Sequence, residues 1–354
     1  MAATEFELIA RYFNQPGLVF DHPGVVLGPG DDAAILTIPS GRQLVVSVDT
    51  LNVGVHFPPD APPALLAERC LRVNLSDLAA MGADPLGFTV ALSLPGVSEE
   101  SERWLQAFAE GLGRTAREFG CPLLGGDTTR GPLSVTVTVH GHVPAGQALL
   151  RSGARPGDSI YVTGELGNAA AALLYLQARP EFQARDISEA EHGRWLDAFY
   201  RPRPRLAEGR ALREIASAVI DISDGLASDL AHILDASAQA GDEPLGAAID
   251  SRELPMSNDF RARIETSRQV ALALSGGDDY ELCVCVPPRL EETATRLLAA
   301  VGTPFRRIGA IDHQPGIRLI DAEGREAPLG ERGYCHFDDA TGGQADPDVA
   351  RGPQ

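Results

Sequence analysis

Apolar residues recur at every second position in several short stretches, and this spacing predicts strands. Leu44 to Val48 is an apolar run that ends in Asp49, Phe88, Val90, Leu92 and Leu94 alternate with their neighbours, and Leu133 to Val139 alternates again. Between these runs the period lengthens to that of a helix. Asp60, Pro62 and Pro63 open a helix to about Met81, with Leu66, Cys70, Val73 and Leu78 at helical spacing and Asn74 and Asp77 on one face. Ser98 starts another helix through Trp104, Phe108 and Leu112. Ahead of all of these, Thr4 with Glu7 forms a capping box for a short helix, and Gly24 to Ala34 is a glycine-rich loop leading into the first strand.

The Gly- and Pro-containing stretch Arg151 to Asp158 reads as a linker, after which a second α/β series begins. It comprises a strand at Ser159 to Thr163, helices between Ala169 and Ala216, a strand at Ala218 to Ile222, a helix from Asp224 to about Ala238, and a strand after Tyr280. Each half holds a strand ending in aspartate and an aspartate-bearing helix, without a fixed repeat period. The expected organisation is one domain over residues 1–150, a second over 151–338, and a disordered Gly-, Asp- and Pro-rich tail over 339–354.

Composition narrows the functional classes. The 354 residues are 44% hydrophobic and carry a formal net charge of -19, which argues against a nucleic-acid partner because such binding needs cationic side chains. No apolar run reaches the roughly 18 residues of a membrane span, and the N-terminal stretch is not a basic secretory leader, so the expected location is the cytoplasm. All 30 basic residues are arginine. The absence of lysine excludes a P-loop and any Schiff-base chemistry. The five cysteines, Cys70, Cys121, Cys283, Cys285 and Cys335, contain no C-x-x-C pair, and Cys283 and Cys285 share one face of a strand as core residues.

Five segments set aspartates beside glycine, serine or threonine: Gly28 to Asp32, Ser47 to Thr50, Asn74 to Asp77, Gly125 to Thr128 and Asp221 to Gly225. Singly, such segments are turns and helix caps. If several of them converge, their charges repel by about 4 kcal/mol per pair at 4 Å and an effective dielectric of 20, so cations must neutralise them. An oxygen-only ligand set suits magnesium, which bridges a few carboxylates to substrate phosphates. The eight histidines have no metalloprotease spacing, and His140-x-His142 reads as packing.

The order of these motifs resembles that of the bacterial thiamine-monophosphate kinase family from Phe6 to Phe337. The resemblance is carried by the five segments above with His56-Phe57, Arg151 to Asp158, Ser275 to Leu282 and Gly333-Tyr334-x-His336-Phe337. It implies an α/β (α+β) fold of two domains, like that of aminoimidazole ribonucleotide synthetase, with N-terminal strands forming a barrel across a homodimer. It further implies transfer of the ATP γ-phosphoryl group to thiamine monophosphate, by direct in-line attack with several Mg2+ ions. By the same resemblance, the metal ligands fall on Asp32, Ser47, Asp49, Asp77, Asp127, Asp221 and Asp224, with the Val48 backbone and the adjacent Asp31. ATP contacts fall on Gly126, Asp127, Arg151 and Ser223, and acceptor contacts on His56, Asp278, Glu331 and Tyr334. The family usually has glutamate at the position of Asp278. Another ATP-using synthetase of the same superfamily, a magnesium-dependent phosphatase and a non-catalytic nucleotide-binding regulator stand as alternatives.

Overall fold

The computed structural model describes residues 5–329, apart from 97, 242 and 322. The Thr4–Glu7 capping box, Cys335, the acceptor positions Glu331 and Tyr334, and the 339–354 tail therefore fall wholly or partly outside the described residues.

The chain opens with a short helix, α1 (Glu5–Leu8), continued by a π-helical turn over Ile9–Phe13. A two-stranded ribbon follows, β1 (Val25–Leu27) within the Gly24 to Ala34 segment expected to be a loop and β2 (Ile35–Leu36) just after it. The first main sheet contains β3 (Arg42–Asn52), β4 (Asp84–Leu94), β5 (Leu123–Arg130) and β6 (Ser134–Pro144), in the order β3-β6-β4-β5. Helices α2 (Pro63–Ala80) and α3 (Glu99–Glu118) link these strands. The strand expected to stop at Asp49 continues to Asn52, because β6 supplies a backbone partner at every position from Arg42 to Asn52. That long-range pairing outweighs the weak strand preference of Asp49-Thr50. Asp49 consequently lies inside the strand.

Beyond Pro144 the chain crosses irregularly to a second, seven-stranded sheet. Its strands are β7 (Ser159–Thr163), β8 (Ala218–Asp221), β9 (Gly246–Asp250), β10 (Leu282–Val286), β11 (Phe305–Asp312), β12 (Gly316–Ile320) and β13 (Glu326–Pro328), ordered β13-β12-β9-β11-β7-β10-β8. Every neighbouring pair is antiparallel except β9 with β12. Helices α4 (Asn168–Leu176), α5 (Glu189–Tyr200), α6 (Leu206–Leu212) and α7 (Leu226–Gly241) surround it, with α8 (Asn258–Arg263), α9 (Thr266–Ser275) and α10 (Glu291–Val301). Cys283 and Cys285 are buried in β10, as their spacing suggests.

Helix α2 is the axle of the molecule. It is buried nearly all round, including the polar Arg69, Arg72, Asn74 and Ser76, as a helix must be when it packs on several elements at once. It touches α3 and three strands of the first sheet on one side, and β8, α5 and α6 on the other. Close approach needs small residues. At Gly209 of α6, an added Cβ would lie 2.0 Å from the Ala79 carbonyl oxygen of α2, a backbone atom that cannot swing aside. Gly209→Ala is expected to destabilise the fold by about 1–3 kcal/mol, through forced separation of α6 from α2. A lower urea midpoint at unchanged slope checks this; an unchanged midpoint would refute it.

Candidate active site

Four of the aspartates singled out in the sequence meet between the two sheets. Asp49 comes from β3, Asp77 from the last turns of α2, Asp221 from the end of β8 and Asp224 from the turn before α7, and all four line one cavity of about 690 Å³. They come from both halves of the chain, and the packing of β8 on α2 brings the two pairs together.

Polar neighbours fix these carboxylates. The Ser47 hydroxyl donates to Asp77 Oδ2 at 2.5 Å, and the Ser76 hydroxyl donates to Asp221 Oδ2 at 2.8 Å. The Asp49 backbone N–H donates to Asn74 Oδ1 at 3.0 Å, tying β3 to α2. Behind them, Asp229 of α7 accepts from the backbone N–H groups of Ser223 and Asp224 at 3.0 and 3.1 Å, holding that turn in place.

The electrostatic consequence is strain. Burial, and then the charges of Asp77 and Asp224, push the Asp49 carboxyl up to about 6. Burial also raises Asp77, opposed by the Ser47 hydrogen bond and by Arg151. Asp221 is raised by burial and then by Asp77, and Asp229 reaches about 7 through burial and the charge of Asp224. Asp49 and Asp221 lack an arginine ion pair among the described residues, unlike Glu68, Glu191, Asp278 and Glu281. The chemistry of these side chains suits hard cations: every donor is oxygen, and the ordinary ionised state of the carboxylates is disfavoured until positive charge is supplied. Among the described residues, no three His, Cys, Asp or Glu side chains are grouped closely enough to hold a metal ion by themselves. An ion here would complete its shell with water and phosphate, which is how magnesium is commonly bound.

The remaining site residues expected from the sequence are distributed around this centre. Val48 lines the cavity, and so does Ser223, whose carbonyl accepts the Asp278 N–H at 2.8 Å. His56 lines it too, its Nδ1 accepting the Asn52 N–H at 3.0 Å. Arg151 is exposed, outside the cavity lining, yet close enough to oppose the rise of both Asp77 and Asp229. Asp31 and Asp32 are exposed on the loop between β1 and β2 and do not line the cavity. Asp127 is exposed on β5 one rung beyond the Asp49–Val137–Val90–Gly126 row, so the pleat directs its side chain to the opposite face of the sheet. Gly126 has a packing role of its own, since a Cβ there would lie 2.0 Å from the Val90 carbonyl oxygen.

Three cavity residues have no role assigned to them from the sequence. Arg69, Phe199 and Tyr280 form the far wall beside Asp278. Arg69 sits eight residues before Asp77 on α2, with Val73 between, and that helical spacing is the one signal available for it. Phe199 gives none, because a single aromatic residue near a loop is ordinarily core, whereas Tyr280 lies inside the Ser275 to Leu282 motif, whose acids draw the attention first.

The chain matches family models in two stretches: residues 30–143 match the N-terminal domain of AIR synthase related proteins, and residues 155–322 match their C-terminal domain. It is 46% identical over 337 residues to thiamine-monophosphate kinase of Escherichia coli K12, covering 95% of this chain and 99% of that one. Among solved structures, thiamine-monophosphate kinase from Stenotrophomonas maltophilia superposes with a TM-score of 0.79 at 40% identity, covering 92% of this chain and 99% of that one. AaThiL complexed with AMPPCP and TMP superposes with a TM-score of 0.71 at 26% identity, covering 85% of this chain and 89% of that one. Given near full-length identity together with the same two-domain fold, this chain belongs to the thiamine-monophosphate kinase family.

Proposed function

We propose that this protein transfers the γ-phosphoryl group of ATP to the phosphate of thiamine monophosphate, giving thiamine diphosphate. The observation that carries the reading is the meeting of Asp49, Asp77, Asp221 and Asp224 at one cavity, in a chain 46% identical to a kinase of that name. AaThiL, of like fold, was solved with AMPPCP and TMP together, which supports the same pair of ligands here.

In this proposal Asp49, Asp77, Asp221 and Asp224, with the Ser47 hydroxyl and the Val48 carbonyl, would hold Mg2+ ions. Bound there, magnesium would supply the positive charge that lets two phosphate-bearing ligands approach. The chain's own contribution is positioning. Ser47 and Ser76 fix two carboxylate rotamers through their hydroxyls, and the backbone bond to Asn74 sets Asp49 between them. Gly126, Asp127, Arg151 and Ser223 are assigned to ATP, with Arg151 a permanently charged donor at the cavity mouth. His56 and Asp278 are assigned to the acceptor, as are Glu331 and Tyr334 beyond the described residues. The resemblance to the family, rather than the geometry of the single chain, supports Asp31, Asp32 and Asp127 as further metal ligands. No general base is assigned, because an acceptor phosphate oxygen is already ionised near neutral pH.

Three further readings accompany this one. We assign residues 1–150 and 151–338 to two domains meeting at the cavity. We place the protein in the cytoplasm, with which the four described cysteines agree, all buried and free. No helix among the described residues is long and apolar enough to cross a membrane. We also propose a homodimer through the open face of the first sheet, where Leu44, Val46 and Val48 of edge strand β3 stand at least half exposed in a row.

Incubation with Mg2+, ATP and thiamine monophosphate should yield thiamine diphosphate, whereas ATP loss without acceptor would indicate a hydrolase instead. Asp49→Asn is expected to reduce turnover on the order of 100-fold while leaving the fold intact, as loss of a metal-site partner typically does. The same change at Asp127 asks whether that residue joins the site, and near-normal turnover would remove it. For pH, the sign follows from the raised carboxyls. Between the ordinary aspartate value and about 7, the folded state binds more protons than the unfolded state, so these groups cost stability as pH rises. Magnesium should therefore raise the melting temperature more at about pH 8 than at about pH 5.5. An equal gain at both would contradict the shifts. Val46→Glu is expected to move the sedimentation coefficient toward that of a monomer, and an unchanged value would exclude this face as the interface.

A further inference from the structure

The wall of the cavity away from the carboxylates is built around one buried cation. Arg69 is 3% exposed and makes three directed contacts. Its Nη1 donates to the Phe199 carbonyl at 2.7 Å, its Nη2 donates to Asp278 Oδ1 at 2.6 Å, and its guanidinium lies 4.2 Å from the centre of the Phe199 ring. These contacts join α2 of the first half to α5 and to the loop before β10 in the second. Its Nε is buried without a hydrogen-bond partner. A plain structural fastening would not favour that arrangement, since an apolar residue of similar volume would avoid the desolvation cost.

Asp278 itself is held in an unusual shape. Its φ is +62°, in the left-handed region that a residue with a Cβ rarely adopts, and Gly277 and Tyr280 on either side of the Asp278–Asp279 pair are also positive, at +68° and +50°. Backbone bonds from Asp278 to Ser223 and from Tyr280 to Ile222 keep the loop there. The Tyr280 hydroxyl donates to the same Oδ1 at 3.2 Å. With both donors on Oδ1, Oδ2 is left to the cavity, where the Asp278 side chain is 27% exposed. Arg69 lies eight residues from Asp77 on one face of α2, or about 12 Å along the helix axis. The cavity therefore has a phosphoryl end at Asp77 and, about two turns away, an end holding one oriented carboxylate between aromatic rings.

We propose that Arg69 is a positioning residue for the acceptor: it aims Asp278 so that Oδ2 meets the cationic ring end of the molecule whose phosphate lies at Asp77. This rests on the phosphoryl-transfer reading above. Arg69 acts through Asp278. Its removal frees the carboxylate to rotate and weakens acceptor binding, while the ATP side is untouched.

The test is a double-mutant cycle of Arg69→Gln and Asp278→Asn on the full chain with Mg2+, reading KM for thiamine monophosphate, KM for ATP and kcat. Arg69→Gln is expected to raise the acceptor KM at least tenfold with ATP KM unchanged. Arg69→Lys, which keeps a donor beside Asp278, should return the acceptor KM to within about threefold of the parent. In the Asp278→Asn background, Arg69→Gln should add less than about twofold. Additive effects, or a matching rise in ATP KM, would overturn the proposal and leave Arg69 a structural residue. So would failure of both Arg69 variants to fold. If the parent protein does not phosphorylate thiamine monophosphate at all, the functional reading fails instead, and that result is distinct from these.

Discussion

Like charge gathered at a buried place governs this structure. Asp49, Asp77, Asp221 and Asp224 are brought to one cavity, where burial lifts Asp49, Asp77 and Asp221 above the ordinary carboxylate range and the charges of neighbouring aspartates add to the rise at Asp49 and Asp221. A fold can tolerate this only if its remaining contacts over-determine the geometry. The hydroxyls of Ser47 and Ser76 and the amide of Asn74 do so locally, and α2 does so globally by packing between the two sheets. What is electrostatically unfavourable among these carboxylates by themselves is an arrangement that favours a divalent cation, as the proposed function requires.

Elsewhere the chain neutralises several buried glutamates with arginine. Glu281 lies between the Thr163 hydroxyl and both faces of the Arg205 fork, and Glu68 of α2 accepts from Arg114 of α3 and from Arg201 just beyond α5. Glu68 with Arg201 crosses from the first half to the second, as does Asp84 with Arg210 and Arg213, and the planar guanidinium suits such pairs because it can serve two acceptors in fixed directions. The contrast is functional. Acids that fasten the halves have arginine partners, while Asp49 and Asp221 at the cavity do not among the described residues. Arg69 belongs to both classes, since it joins the halves and faces the cavity.

The alternation of Phe88 to Leu94 and the helical spacing from Pro63 to Met81 are properties of neighbouring residues, so these elements are legible from the chain alone. Helix α2 begins at Pro63 and ends at Ala80, close to the expected limits. β3 runs beyond its expected end because its last residues are extended by pairing with β6, about ninety residues away. The ribbon of β1 and β2 leaves no mark in the sequence for a related reason, as its strands are too short to show a period.

The sequence by itself determined which chemistry was available: no lysine, abundant arginine, and aspartates placed beside residues that permit sharp turns or cap helices. It also carried the motif order that marks the family. The tertiary structure alone decided which aspartates share a cavity, leaving Asp31, Asp32 and Asp127 outside it in the single chain, and which residues without a motif face them, Arg69 and Phe199 above all. The reason is range. Secondary structure follows from contacts a few residues apart, whereas charge repulsion, desolvation and the direction of a side chain across a cleft depend on partners that only the packed fold brings near.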